Sequence, residues 1–281
     1  MIVAGRSLAP TWWPMGASAA VALSFDVDRE SPWLGGAVMS ASEFSGAEYG
    51  ARRAMVRILE LLERNEIPAT FFVPGVIAER YGGEVLTIVA AGHEIGLHGW
   101  EHERASQLSV DDEAERFERS ITTIERLTGR RPTGSRAPSF DPSDQVATLI
   151  ARFGLIYDSS LMADDEPYEL NEGERPTGVV EVPVDWSRDD AAVLVMDRWG
   201  AIRPEVDLES LFANWRGEFL AAHSEGGLFQ LTLHPDLIGR RAPMRHLATL
   251  VEFMAAYGNV WFATHEEVAQ HCKDNAGERA T

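Results

Sequence analysis

Short apolar runs rich in β-branched and aromatic residues alternate along the chain with longer segments in which apolar positions recur every three or four residues. This alternation predicts βα units around a parallel sheet. The first strand reads AVALSFDVD. Tyr49 to Asn65 then places Met55, Ile58, Leu61 and Leu62 on one stripe with arginines and glutamates elsewhere, as a helix covering a sheet requires. Strand ATFFVPG, a helical stretch through LTIVAAG that ends at Gly92, and strand EIGLHG follow. The next helix, DDEAERFERSITTIERLTG, is preceded by a Ser109-x-x-Asp112 cap signal and stops at Gly129. Beyond it come TGSRAP, a short helix near Ser143 to Phe153, LIYDSS, VVEVPVD, a helix around Leu208 to Ala222, GLFQLTLHP, a helix from Met244 to Tyr257, and VWFATH.

These runs make seven or eight strands. A length of 281 residues accommodates two ordinary domains or one barrel, and no repeat or linker rich in Pro, Gly or Ser divides the chain. The expected fold is therefore α/β, a single-domain closed or nearly closed (β/α)7–8 barrel over residues 17–272. Residues 1–16, with Pro10, Pro14, Trp12 and Trp13, read as an irregular arm that packs its aromatics, and residues 273–281 as a flexible tail. The longest irregular segment runs from Arg29 to Gly50. It holds Trp33, glycines and polar residues directly after the first strand, as a lid or an insertion would.

Composition narrows the chemistry. With 45% hydrophobic and 25% charged residues the chain is an ordinary globular one, and 25 basic against 44 acidic side chains leave a net charge of −19. Such a surface repels nucleic acid and anionic membranes, which leaves a neutral or cationic substrate. Cys272 is the only cysteine, so no internal disulfide, thiolate zinc site or iron–sulfur cluster is available. No run approaches 18 apolar residues and the start lacks the pattern of a secretory leader, so the expected location is cytoplasmic.

In a βα barrel chemistry sits where strands end at their carboxyl side. The first strand closes with Asp26 and Asp28, which alternation puts on the same face. Two such carboxylates share a proton or a cation. An EF-hand is excluded, because Ser31 and Ala37 stand where that loop needs Gly and Glu. The third strand runs into His98 and His102, four apart, which a helical turn would bring to one point. One aspartate and two histidines suit zinc or another divalent first-row ion with positions left open for water and substrate. Asp28, His98 and His102 are then the ligands, while Asp26 is free to take a proton from the attacking water. Arg136, at the end of the fourth strand, is placed to pair with Asp26, and His234, at the end of the penultimate one, to protonate a leaving group. Asp185 is the expected partner that fixes the tautomer of His234. His265 reads as a surface or capping residue. His93, His223, His246 and His271 read as structural or solvent-facing, with His93 a candidate to brace the site.

Taken in order, these motifs resemble the polysaccharide deacetylase family, which includes chitin and peptidoglycan deacetylases. Ser24-Phe25-Asp26-Val27-Asp28 is similar to its first motif, His98 through His102 to its second, Arg136-Ala137-Pro138 to its third, Asp185-Trp186 to its fourth and Leu231 to His234 to its fifth. The extra Val27, and Arg240 in His-Pro-Asp-x-x-x-Arg, resemble a bacterial branch without signal peptides that shades into allantoinases and cyclic imide hydrolases. The third motif departs from the family in carrying Ser139 where tyrosine is usual, with Phe140 a candidate replacement for the aromatic.

The resemblance covers about Val21 to Ala269. It implies a distorted βα barrel, a divalent metal (zinc foremost, with cobalt, manganese or nickel as alternatives) and hydrolysis of a carbon–nitrogen amide bond that removes an N-acetyl group from a sugar. It also implies an oxyanion contact from the backbone of Ser139 and association as a homo-oligomer. Trp33, Phe140 and Trp186 are expected as walls of the substrate site, with Ser139 and Arg240 beside them. The chief alternative is a cyclic imide or ureide hydrolase acting on a small molecule, and a non-catalytic carbohydrate-binding barrel stands behind it. A glycosidase pairing Asp26 with Asp185 would leave His98 and His102 without a task.

Overall fold

The computed structural model describes residues 1–34, 39–195 and 206–275. Its centre is a curled parallel sheet. Strand β2 (Ala19–Asp26) is buried along its whole length, as a strand covered on both faces must be, and its apolar run follows from that. Outward from β2 the parallel neighbours are β3 (Thr70–Val73), β4 (Glu94–Leu97), β5 (Gly134–Ser135), β6 (Tyr157–Asp158) and β8 (Arg175–Glu181). Strands β9 (Leu228–Leu233) and β10 (Val260–Phe262) also pair with β2. Past β8, a bridge between Asp189 and Thr232 brings the chain against β9, so the sheet curls into the expected distorted barrel.

Register decides what meets at the rim. Asp26 pairs with Phe72, Val73 with Leu97, Leu97 with Ser135, Ser135 with Asp158 and Asp158 with Glu181, while Phe25 pairs with Leu233. The strands therefore end nearly level. The residues that follow them, including Asp28, His98, Arg136 and His234, emerge on one side of the sheet, where βα barrels carry their chemistry.

Helices cover the outside. α2 (Met55–Arg64) buries Met55, Ile58, Leu61 and Leu62, the stripe read from the sequence, and each such side chain contributes about 1.5 to 3 kcal/mol by leaving water. α5 (Val110–Thr128) starts where the Ser109 hydroxyl accepts the Asp112 N–H and ends at Gly129 in a left-handed conformation, as its cap signals predict. No helix among the described residues is long and apolar enough to cross a membrane.

The ends and the long loop differ from expectation. Residues 1–16 are not wholly irregular, because Ile2–Ser7 forms β1, antiparallel to β7 (Tyr168–Glu172), which in turn hairpins onto β8. The two-residue turn at Gly173-Glu174, with Gly173 at φ 61°, makes that hairpin. Trp13 packs into the interior as expected. The irregular stretch after β2 is shorter than Arg29 to Gly50. Ser40 and Glu43 form a reciprocal capping box that starts α1 (Ala41–Tyr49), and a wider helical turn at Gly50–Ala54 joins it to α2. The glycines Gly35 and Gly36 of the expected lid lie outside the described residues. At the other end α11 (His265–Asp274) extends into the stretch taken as tail, and 276–281 lie outside the described residues.

Candidate active site and metal centre

Beyond β2 the chain stays extended, with the Val27 N–H bonded to the Phe72 carbonyl and the Val27 side chain buried. Asp26 and Asp28 therefore both line the same cavity. His98 follows β4 and His102 lies four residues on, but the segment between them is not a helical turn. Gly99 and His102 have φ of 66° and 61°, and these two left-handed residues fold the chain so that the imidazoles stand 5.1 Å apart at 77°.

The ligand atoms converge. His98 Nε2 lies 3.3 Å from Asp28 Oδ1 and His102 Nε2 3.3 Å from Asp28 Oδ2, and one donor atom from each of the three residues lies within 4.8 Å of the others. His98 Nδ1 bonds the Arg136 carbonyl at 2.9 Å, which makes it the N–H and leaves the Nε2 lone pair facing Asp28. Asp28 Oδ1 is buried without a hydrogen-bond partner, an arrangement that a cation would satisfy. Two imidazoles and a carboxylate form a donor set suited to a divalent first-row ion, so the residues present fit one. Burial acts to raise the Asp28 carboxyl, but His102 and His98 outweigh it and hold the group well below the usual carboxylate range.

Arg136 is fully buried, not a surface residue. Its Nη1 donates to Asp26 Oδ1 at 2.7 Å and to the Ser24 hydroxyl at 2.8 Å, its Nε and Nη2 bond Ser159, and the guanidinium lies over the Phe72 ring. His265 is also buried, against the surface position expected. It opens α11 behind its Thr264 cap, and its imidazole is directed to the Thr70 hydroxyl and Arg136. Burial, together with the Arg136 charge, pushes it well below the ordinary histidine value, so it is neutral.

His234 follows β9 with Nε2 3.8 Å from Asp28 Oδ2. Its partner is not Asp185. That carboxylate is taken by the N–H of Ser187 at 2.6 Å, capping the short helical turn Trp186–Arg188 at the rim. Asp190 holds His234 instead. The Asp189–Thr232 bridge and a bond from the Asp190 N–H to the Thr232 carbonyl lay this segment along β9, and fully buried Asp190 accepts His234 Nδ1–H at 2.7 Å and the His234 backbone N–H at 3.0 Å. Burial raises the Asp190 carboxyl to about 6. Burial would lower His234, but Asp190, Asp28 and Asp189 outweigh it and hold the imidazole well above its ordinary value. Asp190 is not among the residues expected from the sequence; the adjacent acids Asp189-Asp190, beyond the end of β8, are the feature of the sequence that marks this segment, and their register against β9 is what selects Asp190.

Around these groups lies a cavity of about 420 Å³ walled by Pro32, Trp33, Phe140, Trp186 and Leu237, with Ser139, Asp189 and Asp236 among its polar residues. The Phe140 and Trp186 rings lie 4.7 Å apart, and Ser139 sits at φ 58° in the turn after Arg136. Arg240 does not line this cavity. At the start of α10 (Arg241–Tyr257) its guanidinium rests 3.9 Å from the centre of the Tyr49 ring and donates to the Asp236 carbonyl.

A sequence profile of the family described as polysaccharide deacetylase matches residues 45–157. The chain is 27% identical to the peptidoglycan deacetylase of Helicobacter pylori, over 89% of this chain and 94% of that protein. A solved Mycobacterium smegmatis structure assigned to the polysaccharide deacetylases superposes with a TM-score of 0.86 at 34% identity, covering 98% of this chain and 96% of that one. The allantoinase PuuE superposes with a TM-score of 0.80 at 25% identity, covering 96% and 94%. With this fold, this cluster of aspartate and histidines and these likenesses together, the chain belongs to the polysaccharide deacetylase family and carries the metal-binding site of its amide hydrolases.

Proposed function

We propose that the protein removes the acetyl group from an N-acetylated sugar, as the likeness to a peptidoglycan deacetylase supports, with Asp28, His98 and His102 holding a divalent ion. The observation that carries this reading is the convergence of those three side chains beside a buried, unpartnered Asp28 oxygen. Zinc is the ion proposed, on the donor set. When bound, such an ion polarises the amide carbonyl and acidifies a water.

The protein groups supply the rest. Asp26, held in place by Arg136 at 2.7 Å, takes a proton from the attacking water. The water oxygen bonds to the acyl carbon, the carbon–nitrogen bond breaks, and His234, charged through Asp190, gives its proton to the departing nitrogen, leaving acetate and an amine. The Ser139 backbone N–H is assigned to the developing oxyanion. Trp33, Phe140 and Trp186 offer apolar surface to a sugar ring.

A second reading, opening of a small cyclic ureide, is favoured by the likeness to the allantoinase over nearly the whole chain. The purified protein loaded with zinc, cobalt or manganese and offered N-acetylated sugars, allantoin and cyclic imides separates the two. Acetate release from a sugar is expected. Turnover of the cyclic substrates alone would establish the second reading, and turnover of neither would refute both.

A further inference from the structure

The φ of 61° at His102 is a conformation that residues with side chains rarely hold, and surrounding contacts must impose it. Those contacts centre on Glu103. Its carboxylate turns back over the loop and accepts the Trp100 N–H at 3.0 Å on Oε1 and 3.2 Å on Oε2, and the Glu101 N–H at 2.5 Å on Oε2. Arg116 Nη1, 3.6 Å from Oε2, compensates the charge. The carbonyls of the same loop face outward to the scaffold. Gly99 O accepts from the Gly75 N–H and the Ser120 hydroxyl, and Trp100 O accepts from the Val76 N–H. The loop is thus tied on one side to its supporting helices and on the other to a single carboxylate.

We propose that Glu103 is a positioning residue for the metal centre, its carboxylate fixing the turn that sets the His98 and His102 imidazoles 5.1 Å apart. This rests on the metal reading above. Groups that orient ligands without touching the ion typically change metal affinity about 10- to 100-fold when removed. Glu103→Ala releases two backbone N–H groups and lets His102 relax, so zinc affinity should fall within that range. Glu103→Gln keeps the volume but offers one acceptor oxygen in place of two, and a loss of roughly 3- to 10-fold is expected, about one hydrogen bond.

The test is competition for zinc between a chromophoric chelator and the metal-free full-length protein, as wild type, Glu103→Ala and Glu103→Gln, with the metal-free thermal midpoint measured beside it. Weaker zinc binding by the folded variants, graded from Gln to Ala, is the expected result. A carboxylate that only stabilises the loop would lower the midpoint and leave the zinc affinity of the folded protein unchanged, and that result overturns the proposal. Should the alanine variant not fold, wild-type affinity in Glu103→Gln overturns it as well. Wild-type protein that takes up no zinc would instead refute the metal centre itself, and this inference with it.

Discussion

Replacing Asp190 by asparagine tests the proton-donating half of the proposed mechanism. Asp190 accepts from His234 twice, through Nδ1–H at 2.7 Å and the backbone N–H at 3.0 Å, and it is fully buried, so no water can take over its charge. Asparagine preserves the shape and one acceptor oxygen, but its amide nitrogen would face the His234 N–H that now lies 3.1 Å from Oδ2, donor against donor. It also removes the nearest negative charge that holds the imidazolium above its ordinary pKa of 6.5. A positioned general acid contributes about 10²- to 10⁴-fold. Losing its charge partner while keeping the ring is expected to lower kcat about 10²- to 10³-fold, equivalent to about 3 to 4 kcal/mol in the barrier.

The assay is acetate release at saturating metal across pH. A donor must be protonated, so activity falls on the alkaline side as pH rises through the pKa of His234, and without Asp190 that fall should begin at lower pH. Zinc content should be unchanged, because Asp190 is not a ligand in this assignment. Asp185→Asn, whose carboxylate caps a turn at the rim, should stay within about 3-fold of wild type. A strong loss in Asp185→Asn with near-normal rates in Asp190→Asn would refute the assignment.

Other outcomes follow from the same geometry. Asp28→Ala or His98→Ala should abolish stoichiometric zinc binding, read by metal analysis after desalting, and turnover with it. Arg136→Ala leaves the buried Asp26 charge without its guanidinium and should cost about 3 to 5 kcal/mol of stability by denaturant unfolding. Burial, reinforced by Asp164, Asp165 and Glu225, raises the Glu166 carboxyl from 4.5 to about 7. The folded state then holds a proton that the unfolded chain has released, so stability falls as pH rises from about 4.5 through about 7, by at most about 3 kcal/mol. Glu166→Gln should flatten that dependence and raise the thermal midpoint at pH 8, and an unchanged slope would disprove the cause.

Local patterning determined much of this protein. The β-branched runs located β2, β3, β4, β8 and β9, the three-and-four spacing located α2, and Ser109 with Gly129 bounded α5, because burial period and caps are properties of neighbouring residues. Polar residues at strand ends likewise pointed to Asp26, Asp28, His98, His102, Arg136 and His234, since a parallel barrel brings its strand ends to one rim. Tertiary structure decided what depends on partners distant in the chain. β1 exists as a strand because β7 pairs with it, and Arg136 and His265 are buried because several segments close over them. Asp190 and not Asp185 reaches His234 because the chain past β8 lies along β9 through Thr232, a register that two acids five residues apart cannot reveal by their spacing. The turn that joins His98 to His102 was likewise settled by left-handed backbone and a returning carboxylate, where the spacing alone suits a helical turn that would bring the two together.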